Sequence, residues 1–195
     1  MRLTSLALTA AALSATLPAH AAAMPTLEQI HAAVQAGVAK TQAKTRSSIP
    51  MAVKVTSLAG CQDSQEVPGE VVCLVGLSAG MRDGFTVLPL RQDAGTWTGV
   101  ERKHAVFPGP TPEQAQAAMH AWAEHELATN AEAAKDEQIK AAPGMGVQTV
   151  EDCEVERKTG YLQCDTTLII PGRANVKTDF RFELDGADWR FVPRR

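Results

Sequence analysis

Apolar residues recur along this chain with two alternating periods. From Thr26, TLEQIHAAVQAGVAKTQAK sets Leu27, Ile30, Val34 and Val38 three or four residues apart, with Thr26 and Gln29 arranged as a capping box. That spacing predicts a helix with one buried stripe. TPEQAQAAMHAWAEHELATNAEAAK begins the same way, with Thr111 as N-cap, Pro112 at the first helical position and Gln114 two residues later. Its expected stripe is Ala115, Met119, Trp122 and Ala123, and the pattern runs to Lys135. After each helix the period falls to two, the signature of strands. In the second half these strands are expected at 147–155, 161–170, 175–184 and 188–192. Before them, EVVCLVGL, MRDGFTVLPL and GTWTGV read as strands of the first half.

The two halves share their landmarks. Cys61 and Cys153 are 92 residues apart, Cys73 and Cys164 are 91 apart, and Trp97 and Trp189 are again 92 apart. Self-similarity at a fixed offset marks a repeat. The fold class expected is therefore α+β, a tandem duplication of one helix followed by a four-stranded antiparallel sheet. The first repeat covers 24–107 and the second 108–195, with the Pro- and Gly-rich VFPGPTP as seam. From Thr111 to Cys153 is 7 residues longer than from Thr26 to Cys61, so the second helix or its exit is extended.

Directly opposed residues of antiparallel strands share a face, which makes the pairing testable on paper. With Cys153 opposite Cys164, Val147 falls opposite Ile170. The PGRAN turn then sets Ile170 opposite Val176, and Leu168, Thr166, Cys164 and Leu162 opposite Thr178, Phe180, Phe182 and Leu184. The DGAD turn sets Leu184 opposite Trp189 and Phe182 opposite Phe191. One face gathers these apolar residues against the helix. The other carries Asp152, Glu154, Gln163, Asp165, Thr167, Lys177, Asp179, Arg181, Glu183 and Arg190, with Val150, Ile169 and Val192 among them. In this register Asp152 opposes Asp165, Asp165 opposes Arg181 and Glu183 opposes Arg190.

The four cysteines allow three pairings, and their spacing selects Cys61–Cys73 and Cys153–Cys164, each closing a hairpin. No Cys-x-x-Cys of a zinc or redox site is present. Disulfides imply an oxidising compartment, and the first residues agree. Arg2, an apolar run from Leu3 to Leu17, and Ala19, Ala21 and Ala23 have the order of a secretory signal over 1–23, without a lipobox cysteine. The expected localisation is periplasmic. Removing that segment leaves 18 basic against 22 acidic residues, scattered, with no basic stripe for nucleic acid. No later stretch approaches the roughly 20 apolar residues of a membrane span.

Four motifs suggest chemistry. GLSAG, around Ser78, matches a nucleophile elbow, but the residues after it read as strand rather than the helix that motif needs. HAWAEHE offers His120 and His125, which point about 140° apart on a helix and so suit no common metal ion. Asp152, Asp165 and Asp179 lie near one another on a flat sheet face, without the cleft that paired-carboxylate catalysis uses. APGMGVQ has two glycines but leads into a strand, not a phosphate-binding helix. His31 reads as helix surface, and His104 near the seam has no evident partner. Neither cofactor nor metal is expected, and an enzyme is not.

The two cysteine pairs, two helices and two strand sets resemble the architecture of secreted β-lactamase inhibitory proteins. The second half, ending in FELDGADWRFV, also looks like small exported NTF2-like domains. The first resemblance implies a protein that blocks a secreted enzyme through its sheet surface; the second implies a small-ligand or lipid carrier. The expected function is a non-enzymatic periplasmic protein-binding module, an inhibitor or immunity protein for an envelope-targeted enzyme, with a carrier as the alternative. The expected partner contacts are Tyr161, Asp165, Asp179, Arg181, Glu183 and Arg190.

Overall fold

The computed structural model describes residues 24–45 and 52–194. The expected signal segment, 1–23, lies outside the described residues. The architecture is α+β, and each half is one long helix followed by a four-stranded antiparallel sheet. In the first half α1 (Leu27–Thr45) precedes β1 (Val53–Asp63), β2 (Glu70–Ala79), β3 (Arg82–Asp93) and β4 (Thr96–Gly99). In the second, α2 (Pro112–Thr129) and a short α3 (Glu137–Ala141) precede β5 (Gly146–Val155), β6 (Leu162–Ile169), β7 (Val176–Asp185) and β8 (Asp188–Val192). Both sheets are meanders in which every strand pairs with its sequence neighbours.

Both long helices start where their caps place them. Thr26 and Gln29 exchange bonds at 2.9 and 3.3 Å, and Thr111 and Gln114 at 2.9 and 3.2 Å, so each start satisfies two otherwise orphaned groups. In the first turn of α2, the Glu113 carboxyl is held below the usual glutamate range by its own backbone N–H and by the Thr111 hydroxyl. α2 stops at Thr129 rather than Lys135. The extra residues of the second half form α3, flanked by 3-10 turns at Ala133–Lys135 and Ala142–Gly144. Asp136 caps α3 by accepting from the N–H groups of Gln138 and Ile139. Ile30 and Ala33 are the buried residues of α1, whereas Leu27 stays 44% exposed.

Two apolar clusters hold the layers together. Ile30 and Ala33 pack on Val55, Val71, Cys73, Val75, Leu90 and Trp97, which covers one face of the first sheet with α1. Ala115, Ala118 and Met119 pack on Leu162, Cys164, Leu168, Phe182, Leu184 and Trp189, which covers one face of the second sheet with α2. Trp122 is partly buried, with its ring 5.0 Å from Phe191. Val72 and Leu74 point away from α1 and join this second cluster together with Phe107 from the seam. Residues 70–76 of β2 are therefore buried on both faces, so EVVCLVG runs apolar almost without alternation.

The repeats meet along both flanks of this shared core. Gly186 N–H donates to Ala59 O at 2.8 Å, and a Cβ on Gly60 would lie 2.5 Å from Gly186 O. On the opposite flank Phe85 N–H donates to Arg157 O at 2.7 Å. Gly109 of the seam lies directly on the Cys153–Cys164 bridge, where a Cβ would overlap Cys153 Sγ. Both expected disulfides are formed, and Cys61 sits directly opposite Cys73 in the ladder.

The pairing of the second sheet departs from the paper register. β6 and β7 pair two residues away from expectation, with Leu162 opposite Phe182 and Cys164 opposite Phe180. The cause is the turn: Arg173 N–H donates to Ile170 O at 3.1 Å, which takes Ile170 out of the ladder. Since side chains alternate with period two, a slip of two keeps every residue on its expected face. β5 carries two irregularities, between Val147 and Thr149 and between Glu151 and Glu154. Asp152 occupies the second with φ of 49°, a left-handed conformation that aspartate tolerates better than most residues. These bulges place Glu151, not Asp152, opposite Asp165, and turn Val150 from the charged face into the core.

Candidate functional site

Five of the six expected contact residues, Asp165, Asp179, Arg181, Glu183 and Arg190, occupy the side of the second sheet away from α2. Their positions follow from alternation: Leu162, Cys164, Thr166 and Leu168 are buried, so Gln163, Asp165, Thr167 and Ile169 face outward. Tyr161 just before β6 is partly buried; its N–H donates to Thr159 Oγ1 at 3.2 Å and its carbonyl accepts from Glu156 N–H at 2.8 Å. On β7, Asp179 and Arg181 stand opposite Asp165 and Gln163. Glu183 faces Arg190 as expected.

The charge couples differ from those predicted. Asp165 lies between Glu151 on one side and Asp179 on the other, so three carboxylates stand in a row across three strands, and the Asp165–Arg181 couple does not form. Arg181 instead donates to Pro193 O at 2.9 Å. Arg190 pairs with Asp185 rather than Glu183. The chain continues past β8 alongside β7, so that Arg194 reaches Asp179 and pairs with it at 3.0 Å. Opposed like charges on a sheet are unfavourable by roughly 0.2–1 kcal/mol. One exposed ion pair returns at most about 1 kcal/mol. Glu151 and Asp165 thus remain exposed without an ion pair among the described residues, beside an Ile169 that is 45% exposed.

The remaining motifs resolve into structure. Ser78 lies on β2 opposite Asp83 and Lys54, and a strand follows it. His120 Nε2–H donates to Met145 O at 2.8 Å, tying α2 to the entry of β5. His31 and His125 are exposed on their helices. APGMGVQ forms the 3-10 turn and the first residues of β5. Among the described residues no group of three or more His, Cys, Asp or Glu side chains is placed to hold a metal ion. No described helix is long and apolar enough to cross a membrane.

Two features, one in the first half and one at the seam, were missed from sequence. Glu70, with a side chain 4% exposed, pairs with Arg91 at 2.9 Å and Arg102 at 3.3 Å, and Arg102 also reaches Glu66 at 3.5 Å. A glutamate opening an apolar run was its available signal, since a buried charge demands a partner. The seam also holds two open clefts. One, of about 580 Å³, lies between β3 and β5 under Arg102 and His104; the other, of about 670 Å³, lies between β1, Thr111 and the Gly186 turn. By contrast, the space between α2 and its sheet is filled by Met119, Leu162 and Phe182. No known protein-family model matches this chain, and no curated protein matches it.

Proposed function

We propose that this chain is an exported, non-enzymatic module that binds a protein partner on the outer face of its second sheet, as an inhibitor or immunity protein for an enzyme of the cell envelope. The observation that carries the reading is the unequal covering of two otherwise matching sheets. In the first, β2 is buried on both faces; in the second, the face opposite α2 carries exposed Asp165, Asp179, Glu151 and Ile169. The acidic row suits a partner presenting lysine or arginine side chains, since opposed potentials steer association and fix register. Two disulfides agree with an oxidising compartment.

The test is retention of envelope and culture-fluid proteins on the oxidised chain, residues 24–195, compared with the Glu151→Arg/Asp165→Arg variant. A partner retained stoichiometrically by the wild type should lose at least ten-fold in affinity to the variant, about 1.4 kcal/mol. Equal retention by both would overturn the assignment of the face.

A further inference from the structure

Each disulfide joins an edge strand to an inner one. β1 and β5 are the outermost strands of their sheets, so Cys61 and Cys153 stand at edges, and Cys73 and Cys164 lie one strand further in. Burial follows the same division: Cys73 and Cys164 are 0% exposed, whereas Cys61 and Cys153 are partly exposed. A disulfide exchanges when a thiolate attacks one of its sulfurs in line with the bond that breaks, so the outcome depends on which sulfur can be approached. Toward Cys73 that approach passes over β3, where Leu88 stands directly opposite Cys73 on the same face. Toward Cys61 it comes from beyond β1, which among the described residues pairs with β2 alone.

The space beyond β1 is the cleft of about 670 Å³, which Cys61 lines together with Leu58, Gly109 and Ala187. The second bridge is more enclosed. Phe180 stands opposite Cys164, and Gly109 lies so close to Cys153 that a Cβ there would overlap its sulfur. Cys153 borders the cleft between β3 and β5, but with the seam backbone pressed against it.

We infer that Cys61 is a site of reversible S-thiolation, reached through this cleft by a small thiol of the size of free cysteine. The incoming thiolate bonds to Cys61 Sγ, the Cys61–Cys73 bond breaks, and its electron pair leaves on Cys73 Sγ, which takes up the proton the thiol gave up. The thiol sulfur is oxidised and Cys73 is reduced, with no other reactant consumed. β1 and β2 stay paired on both sides of the bridge, from Val53 opposite Ala79 to Asp63 opposite Val71, which keeps Cys73 beside Cys61. Attack by Cys73 on the adduct then expels the thiol and restores the bridge. The site lies away from the outer face of the second sheet, so it stands or falls independently of the partner proposed there.

The experiment incubates the oxidised chain, residues 24–195, with free cysteine in the absence of denaturant, alkylates it with N-ethylmaleimide in urea, and maps the peptides by mass. The expected product carries the cysteinyl adduct on Cys61 and N-ethylmaleimide on Cys73, at least five-fold over the reverse arrangement. The first bridge should open at least five-fold faster than the second. Ala187→Trp, which narrows the cleft from an exposed turn position, should slow the adduct at least three-fold with the circular dichroism spectrum unchanged. When the thiol is added in urea beyond the unfolding transition, the preference for Cys61 over Cys73 should fall below two-fold, because every sulfur is then open to attack. Equal adducts on Cys61 and Cys73, equal opening of the two bridges, indifference to Ala187→Trp, or a preference that persists in urea would each overturn the inference.

Discussion

Glu70 shows how a single buried charge can anchor one half of this molecule. It opens β2 on the face that looks toward the second repeat, and its carboxylate is held between Arg91 of β3 and Arg102, which follows β4. Removing one partner of a buried charge cluster costs about 3–5 kcal/mol when the remaining charges stay dry. Here Arg91 is 49% and Arg102 21% exposed, so the cations can partly rehydrate. Glu70→Ala should therefore destabilise by about 3 kcal/mol, the lower end of that range, read as a shift of the urea midpoint at unchanged slope. A loss below about 1 kcal/mol would show that the arginines are satisfied without it. Residue-scale features were unevenly legible in the sequence. The cysteine pairs were readable because short spacing allows little else, and the caps because their chemistry is local. The partners of Glu70 were not, since Arg91 and Arg102 lie 21 and 32 residues further along the chain.

At the scale of elements, the alternation of apolar and polar residues assigned faces correctly almost everywhere, while the pairing between strands slipped. Face depends on parity alone; register depends on where each turn closes, and Arg173 to Ile170 could not be read from PGRAN. The bulges were equally silent, because a bulge is one residue inserted into an otherwise ordinary pattern, and they cost the correct placing of Val150 and Asp152. Cys153 lies within the second bulge, with no partner of its own in the ladder, and its bridge to Cys164 pins β5 to β6 there. The double variant Cys153→Ala/Cys164→Ala should lose about 2–4 kcal/mol, as expected for releasing a short loop. Calorimetry under oxidising conditions measures it. An unchanged melting temperature would show that the ladder alone holds the bulged hairpin.

The whole molecule is more than two copies of one unit. Val72 and Leu74 belong to the first sheet by sequence and to the second repeat's core by packing, and Phe107 of the seam meets Trp189 with ring centroids 6.5 Å apart. A separated first repeat would expose those side chains, each worth about 1.5–3 kcal/mol of burial. The full chain should accordingly unfold in one cooperative step, with tryptophan fluorescence and far-ultraviolet circular dichroism giving coincident urea transitions. Two resolved transitions would show that the repeats are independent lobes. Periodicity revealed the duplication, but it said nothing of which sheet face the other repeat would cover. The unbroken EVVCLVG run carried that information, as a strand without a polar side.

Burial of β2 on both faces also sets how freely each half can change. A substitution on either side of β2 must be accommodated by two packed layers, so volume and polarity are tightly constrained there. On β6 every second residue faces solvent, and new side chains can be tried without disturbing the core. One copy of the duplicated unit thereby serves as ballast, and the other is left at liberty to acquire new surfaces.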